Sequence, residues 1–282
     1  MKKSYRFELC AETLEAAIAA ERGGADRLEL CTDLRVSGLT PSPRLLAETL
    51  QNVTIPVHVL IRPRAGNFVY SDEEFALMAR QIDEAKAAGA HGIAVGILLP
   101  NGRIDVPRTR QLARRARPMH VTFHRAFDEV AKSAEVGKLA EGGKLDEVVK
   151  FDKVESPGQF STPREITAAD RAAEFSRALE DVIRTGADTL LTSGGAPNVL
   201  EGAAQISRLQ SQAGDRLEIM AGGGLKLTNL AEVVQRSAVT TLHGSLSRVR
   251  PAASKEEAHQ ALVDDIKEAI RLLQQDCLEA AG

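Results

Sequence analysis

The sequence predicts an α/β fold of the (β/α)₈ TIM-barrel class, and three observations carry that prediction. Short β-rich runs alternate with helical patterns along nearly the whole chain of 282 residues, which is how βα units with a parallel sheet read in sequence. Eight such runs occur, the number that closes a barrel. A doubly wound open sheet would need a glycine-rich phosphate turn after its first strand, and Cys10-Ala11-Glu12-Thr13 contains no glycine.

The first strand is expected at 7–10, followed by a helix at 13–22 that Gly23-Gly24 closes. Strands at 27–31 and 57–62 flank a helix at 43–51. Ser71 followed by Glu74 forms a capping box for a helix at 72–88, with Gly89 at its end. A strand at 92–98, a helix at 106–116 and a strand at 120–124 follow, and each helix carries apolar residues at spacings of three and four. The stretch 130–173 is charged, contains glycine and has no clear strand, so it reads as an insertion after the fifth strand, either a variable one or a substrate lid. A helix at 174–185 closed by Gly186 and strands at 189–192, 216–220 and 240–243 complete the set. One connector recurs before strands, as Gly24-Ala25-Asp26, Gly89-Ala90-His91 and Gly186-Ala187-Asp188. Residues 1–250 are thus expected to form the barrel, and 251–282 a C-terminal helical segment packed on it.

Composition excludes some function classes. The chain is 43% hydrophobic and 27% charged, as ordinary globular proteins are. A net charge of -3 gives no global attraction to nucleic acid. No apolar run reaches the ~20 residues that span a bilayer, and Met1-Lys2-Lys3-Ser4 leads into a strand without the apolar core of a signal peptide. A cytoplasmic protein with no membrane partner is expected. Three cysteines, Cys10, Cys31 and Cys277, are too few for a disulfide framework, and Cys277 lies in a polar tail.

The chemistry is concentrated in a repeated tripeptide, Glu8-Leu9-Cys10 and Glu29-Leu30-Cys31. Strand alternation puts each glutamate on the side of its cysteine, and neighbouring strands bring both thiols and both carboxylates together. Soft thiolates suit Cu(I), whereas tetrahedral zinc wants four ligands. A redox disulfide is the alternative, because cysteines on adjacent strands fall within bridging range. Glu8, Glu29 and Arg62 are either an internal salt-bridge network or, with His124, acid–base candidates at the catalytic face. An anion could be held by Arg62 and Arg64 of Arg62-Pro63-Arg64, by Ser193 and Gly194, by Gly222, Gly223 and Gly224, and by His243 and Ser245 beyond the last strand. The same glycines could equally serve tight turns.

The sequence resembles the CutC copper homeostasis family. The matching stretches are Gly24-Ala25-Asp26-Arg27-Leu28-Glu29-Leu30-Cys31, Gly38-Leu39-Thr40-Pro41-Ser42, Ile61-Arg62-Pro63-Arg64, Tyr70-Ser71-Asp72-Glu73-Glu74, Thr122-Phe123-His124-Arg125-Ala126-Phe127-Asp128 and Leu191-Thr192-Ser193-Gly194. The resemblance implies a TIM barrel, a cytoplasmic homo-oligomer, a link to copper, and Cu(I) held by two cysteines at the positions of Cys10 and Cys31. This chain departs from the family at Ala65, where a second glycine is common, in its longer insertion, and beyond His243-Gly244-Ser245. Two functions follow as expectations: a Cu(I)-binding homeostasis protein, or an enzyme acting on a small phosphorylated or carboxylated metabolite.

Overall fold

The computed structural model describes residues 5–130, 167–246 and 254–279. Eight parallel strands close into a barrel in the order of the sequence: β1 (Arg6–Ala11), β2 (Arg27–Leu30), β3 (Val57–Leu60), β4 (Gly92–Val95), β5 (His120–Phe123), β6 (Thr189–Thr192), β7 (Glu218–Gly222) and β8 (Thr241–Gly244). Closure is made by β1 against β8, with Glu8 opposite His243. Outside the barrel lie α1 (Leu14–Gly23), α2 (Pro43–Asn52), α3 (Asp72–Ala88), α4 (Val106–Ala116), α5 (Ala168–Thr185), α6 (Ala203–Ala213), α7 (Leu230–Ser237) and α8 (Lys255–Glu279).

The larger differences from the sequence expectation fall at four elements: β3 ends at Leu60 and β4 at Val95, short of the expected 62 and 98, and two others shift. The seventh strand starts two residues later, because Gly214–Arg216 forms a 3₁₀ turn, and it runs on through Gly222. Helix α5 begins at Ala168 rather than at residue 174, since Thr167 and Asp170 make a reciprocal capping box there. The expected insertion therefore ends earlier, and its residues 131–166 lie outside the described residues, as does the side chain of Cys277.

Sheet parity divides the molecule into two environments. Phe7, Leu9, Leu28, Leu30, Val57, Val59, Ile93, Val95, Val121 and Phe123 belong to the hydrophobic core between sheet and helices. The alternate positions face the barrel axis, and there the chain places Glu8, Arg27, Glu29, His58, Thr122, Thr189, Thr241 and His243, all buried. Apolar residues on that side are few: Leu191, Met220 and a small cluster of Cys10, Cys31, Leu60 and Ala94. Charges buried this way need partners, and they have them. Glu218 accepts from Thr189 Oγ1 at 2.8 Å and from Thr241 Oγ1 at 2.7 Å and pairs with Arg6. His120 Nε2 lies 2.8 Å from Thr189 Oγ1 and stacks on His58 at 5.1 Å. The lower barrel is a polar plug, and the upper end is left open.

The recurring connector has a common structural cause. Gly24, Gly89 and Gly186 end their helices at φ of 89°, 94° and 81°, a conformation a Cβ disfavours. The residue two places on then reaches back to the preceding strand. Asp26 Oδ2 accepts Phe7 N–H at 2.7 Å, His91 Nδ1 accepts Val57 N–H at 3.2 Å, and Asp188 Oδ2 accepts Val121 N–H at 2.8 Å. Helix α8 seats against α1, where a Cβ on Gly23 would stand 2.5 Å from Ile266.

Candidate functional site

The register of β1 on β2 sets Cys10 opposite Glu29. Cys10 Sγ lies 3.6 Å from Cys31 Sγ and 3.7 Å from Glu29 Oε1. Cys31 stands just past the end of β2, held by its N–H on Ala11 O at 2.9 Å. The chain then doubles back through the Thr32–Leu39 bridge, so that Gly38 packs over Cys31 and Leu60. A Cβ on Gly38 would come 2.8 Å from the Leu60 side chain and take φ +84°, so this approach requires glycine. Both thiols are free and buried. The hydrogen bond with Cys31, burial and the charge of Glu29 together push the Cys10 thiol well above its usual range.

Beneath the thiols, Glu8 is the hub. His243 Nδ1 lies 2.7 Å from Glu8 Oε1, and Arg27 Nε donates to Glu8 Oε2 at 2.5 Å. His58 Nδ1 is 3.7 Å from Glu8 Oε2. Burial would raise the Glu8 carboxyl, but the His243 hydrogen bond and the charges of Arg27, His243 and His58 outweigh it and hold it well below the carboxylate range. His243 moves the opposite way: burial disfavours its charge, and Glu8 with Glu29 overcomes this and raises it. Glu29, with no such cation hydrogen-bonded to it, is raised by burial to about 7, although the charge of His243 opposes the shift. Donor atoms of Cys10, Glu29 and His243 lie within 4.8 Å of one another. Since Nδ1 is committed to Glu8, His243 offers Nε2 to this group.

These residues form the floor of a cavity of about 960 Å³ at the C-terminal ends of the strands, the end where TIM barrels place their sites. One wall is Phe68 with Arg62 and His124, and the rim includes Leu99, Arg125, Glu129, Gly223, Gly224 and Ser245. Arg62 donates to the carbonyls of Val36, Gly38 and Gly66 at 2.6, 2.8 and 3.0 Å, and its guanidinium lies 5.1 Å from the Phe68 ring centre. His124 accepts Ala126 N–H on Nδ1 at 3.2 Å, and burial with the Arg62 charge lowers its pKa to about 3.

The residues expected to bind an anion are not gathered in one place. Arg64 is turned away: it donates to Glu74 Oε1 at 2.5 Å and to the carbonyls of Asn67 and Val69, and so braces the loop after β3. In that loop Gly66, not Ala65, takes the positive φ, at 91°. Ser193 and its neighbours are occupied by an internal carboxylate. Asp128 accepts both N–H and Oγ of Ser193, the Gly195 N–H at 3.1 Å and the Thr192 hydroxyl, and is paired with Arg125 at 2.8 Å. Gly194 gives its N–H to Thr192 Oγ1 instead. Gly222 lies within β7 beside Leu191 and His243. Only Arg62, Gly223, Gly224, His243 and Ser245 of that set border the cavity.

Arg27, His58 and Phe68 were not singled out by sequence. For Arg27 a signal existed, because it shares strand parity with Glu29; Phe68 comes from an irregular loop whose path no local pattern encodes.

The chain is similar in sequence and fold to relatives of known name. The family model described as CutC family matches residues 5–161 and 135–248. The family protein CutC of Chromobacterium violaceum is 39% identical over 239 residues, covering 85% of this chain and 80% of its own length. The human copper homeostasis protein cutC homolog is 36% identical over 251 residues, covering 89% of this chain and 77% of its own. A crystal structure of CutC from Streptococcus agalactiae, described as a copper homeostasis protein, superposes with a TM-score of 0.68 at 27% identity, over 86% of this chain and 100% of that one. A closed eight-stranded parallel barrel with this sequence relationship belongs to the CutC family.

Proposed function

We propose that the chain is a copper homeostasis protein that binds Cu(I) through Cys10 and Cys31 at the floor of the barrel mouth. The observation that supports this reading is the 3.6 Å approach of the two buried sulfurs, of which Cys10 lines the cavity. At a thiolate–metal bond of about 2.3 Å, the length known for zinc, sulfurs so spaced meet one ion at a bent angle and leave room for a third ligand. His243 is the candidate for it through Nε2: its donor lies within 4.8 Å of those of Cys10 and Glu29, a group that does not include Cys31, so the ion would have to draw Cys31 and His243 together. The other nitrogen of His243 rests on Glu8 at 2.7 Å, the carboxylate–histidine arrangement that orients metal-ligating imidazoles. The donor set fits a soft monovalent ion better than a hard cation. A thiol must lose its proton to bind, and Glu29 at 3.7 Å is placed to take it from Cys10.

Copper is the cargo in this reading, carried in the cytoplasm by a homo-oligomer whose subunit count light scattering would give. Anaerobic titration of Cu(I) against a competing chelator tests the site. The Cys10→Ser, Cys31→Ser double variant is expected to lose the tight site, and His243→Gln to weaken it by about tenfold, as removal of metal ligands and their supports does. Unchanged affinity in the double variant would refute the reading.

A further inference from the structure

We infer that the wall formed by Phe68, Arg62 and His124 binds the acidic group of a small organic anion, independently of the thiol pair. His124 is 4% exposed and borders the cavity. Its Nδ1 lone pair is taken by Ala126 N–H, so in the neutral ring the proton sits on Nε2. That Nε2 is buried and has no hydrogen-bond partner among the described residues. A buried donor left unmade is costly, and native proteins keep few of them.

Arg62 repeats the pattern beside it. Its terminal nitrogens are held by three carbonyls, the Tyr70 hydroxyl lies against the guanidinium, and Nε completes no hydrogen bond among the described residues. The charge of a guanidinium that is 5% exposed is thus solvated by dipoles but not neutralised. Both groups touch one ring: Phe68 lies 5.1 Å from the Arg62 guanidinium and 5.1 Å from the His124 ring centre. Neither orphaned atom has appreciable surface as the wall stands, so a ligand oxygen bearing negative charge must displace the side chains over them; once seated it answers both deficits, accepting from His124 and balancing Arg62. A cation would be repelled, and an apolar group would leave the donors orphaned. The cavity, at about 960 Å³, has room for a metabolite far larger than a metal ion. Next to this wall, past the neighbouring β6, Asp128 already fills the Ser193 and Gly195 donors, which leaves the β3 and β5 wall for the acid group.

The test uses the full chain with ¹⁵N-labelled histidine, titrated with sodium pyruvate, with inorganic phosphate and with glycerol as a neutral probe. A saturable shift of the His124 Nε2 resonance with either anion, and none with glycerol, is expected; a response to pyruvate alone assigns a carboxylate, to phosphate alone a phosphate, and to both the charge they share. His124→Phe should weaken binding about tenfold or more, the loss of one hydrogen bond to a charged group, while His124→Gln, which keeps a donor, retains most of it. The Cys10→Ser, Cys31→Ser variant should bind the anion as the wild type does, which separates this site from copper. No saturable shift with either anion, an equal shift with glycerol, or undiminished binding by folded His124→Phe overturns the inference; the wild-type titration decides by itself if that variant fails to fold.

Discussion

Glu8 and Glu29 are the same residue type, one position before the same Leu-Cys pair, and the barrel gives them opposite tendencies. Glu8 is held ionised by His243 and Arg27, whereas burial raises Glu29 to about 7. The sequence placed both on the thiol side by parity alone, but the partners that distinguish them came from Arg27 on β2 and from His243 on β8, more than 200 residues away. Buried imidazoles make a further residue-scale prediction. Burial is the main cause that lowers His58 to about 4 and His124 to about 3, so both are neutral in the fold. Above pH 6.5 neither folded nor unfolded chain protonates them. As pH falls below that, the unfolded chain takes up protons that the barrel refuses, so stability is lost toward the folded pKa values. Each histidine should cost about 2 kcal/mol between pH 7.5 and pH 5, from the linkage of about 1.4 kcal/mol per pH unit below 6.5. His243, with a raised pKa, acts in the other sense and only above about pH 6.5. Glu29, raised to about 7, also opposes the histidines over this window, so the two histidines are read from the difference: urea denaturation at both pH values should show the His58→Gln, His124→Gln variant losing less stability toward pH 5 than the wild type, and an equal change in both would contradict the assignment.

At the scale of elements, the connectors were legible and their purpose was not. Gly89 followed by Ala90 and His91 announces a helix end and a strand start, and the structure delivers both. That His91 would accept the N–H of Val57, at the start of the preceding strand, depends on β3 and β4 being neighbours, which no local pattern states. Gly89 at φ 94° meets no other atom within reach of a Cβ, so its substitution isolates backbone strain from packing. Gly89→Ala is expected to destabilise by about 1–2 kcal/mol, read as a lower urea midpoint at constant slope. A neutral result would mean that the turn relaxes. The Ser71–Glu74 capping box was equally legible, because both partners lie within one turn. The start of α5 was missed because the signal there, Thr167 with Asp170, sits at the edge of a charged low-pattern stretch.

The whole molecule keeps its oil outside the barrel and its charges within. Leu28 is fully buried between sheet and helices, so Leu28→Ala should cost about 2–5 kcal/mol in urea denaturation through lost burial and the cavity left behind. Leu99, on the exposed rim, should tolerate the same change within about 0.5 kcal/mol. Equal costs at the two positions would show that the annulus is not where the stability resides. No helix among the described residues is long and apolar enough to cross a membrane.

What the sequence determined by itself was whatever depends on spacing along the chain: eight strands, the helices between them, the glycines that end three of those helices, and the shared parity of each Glu with its Cys. Only the tertiary structure decided which distant side chains meet. It brought His243 to Glu8, gave Asp128 to the donors around Ser193, sent Arg64 to Glu74 and left His124 Nε2 unanswered beside Arg62. The reason is that alternation fixes which face a side chain shows, over about 3.3 Å per residue, while its partner is set by barrel closure and by loop paths that join strands far apart in sequence.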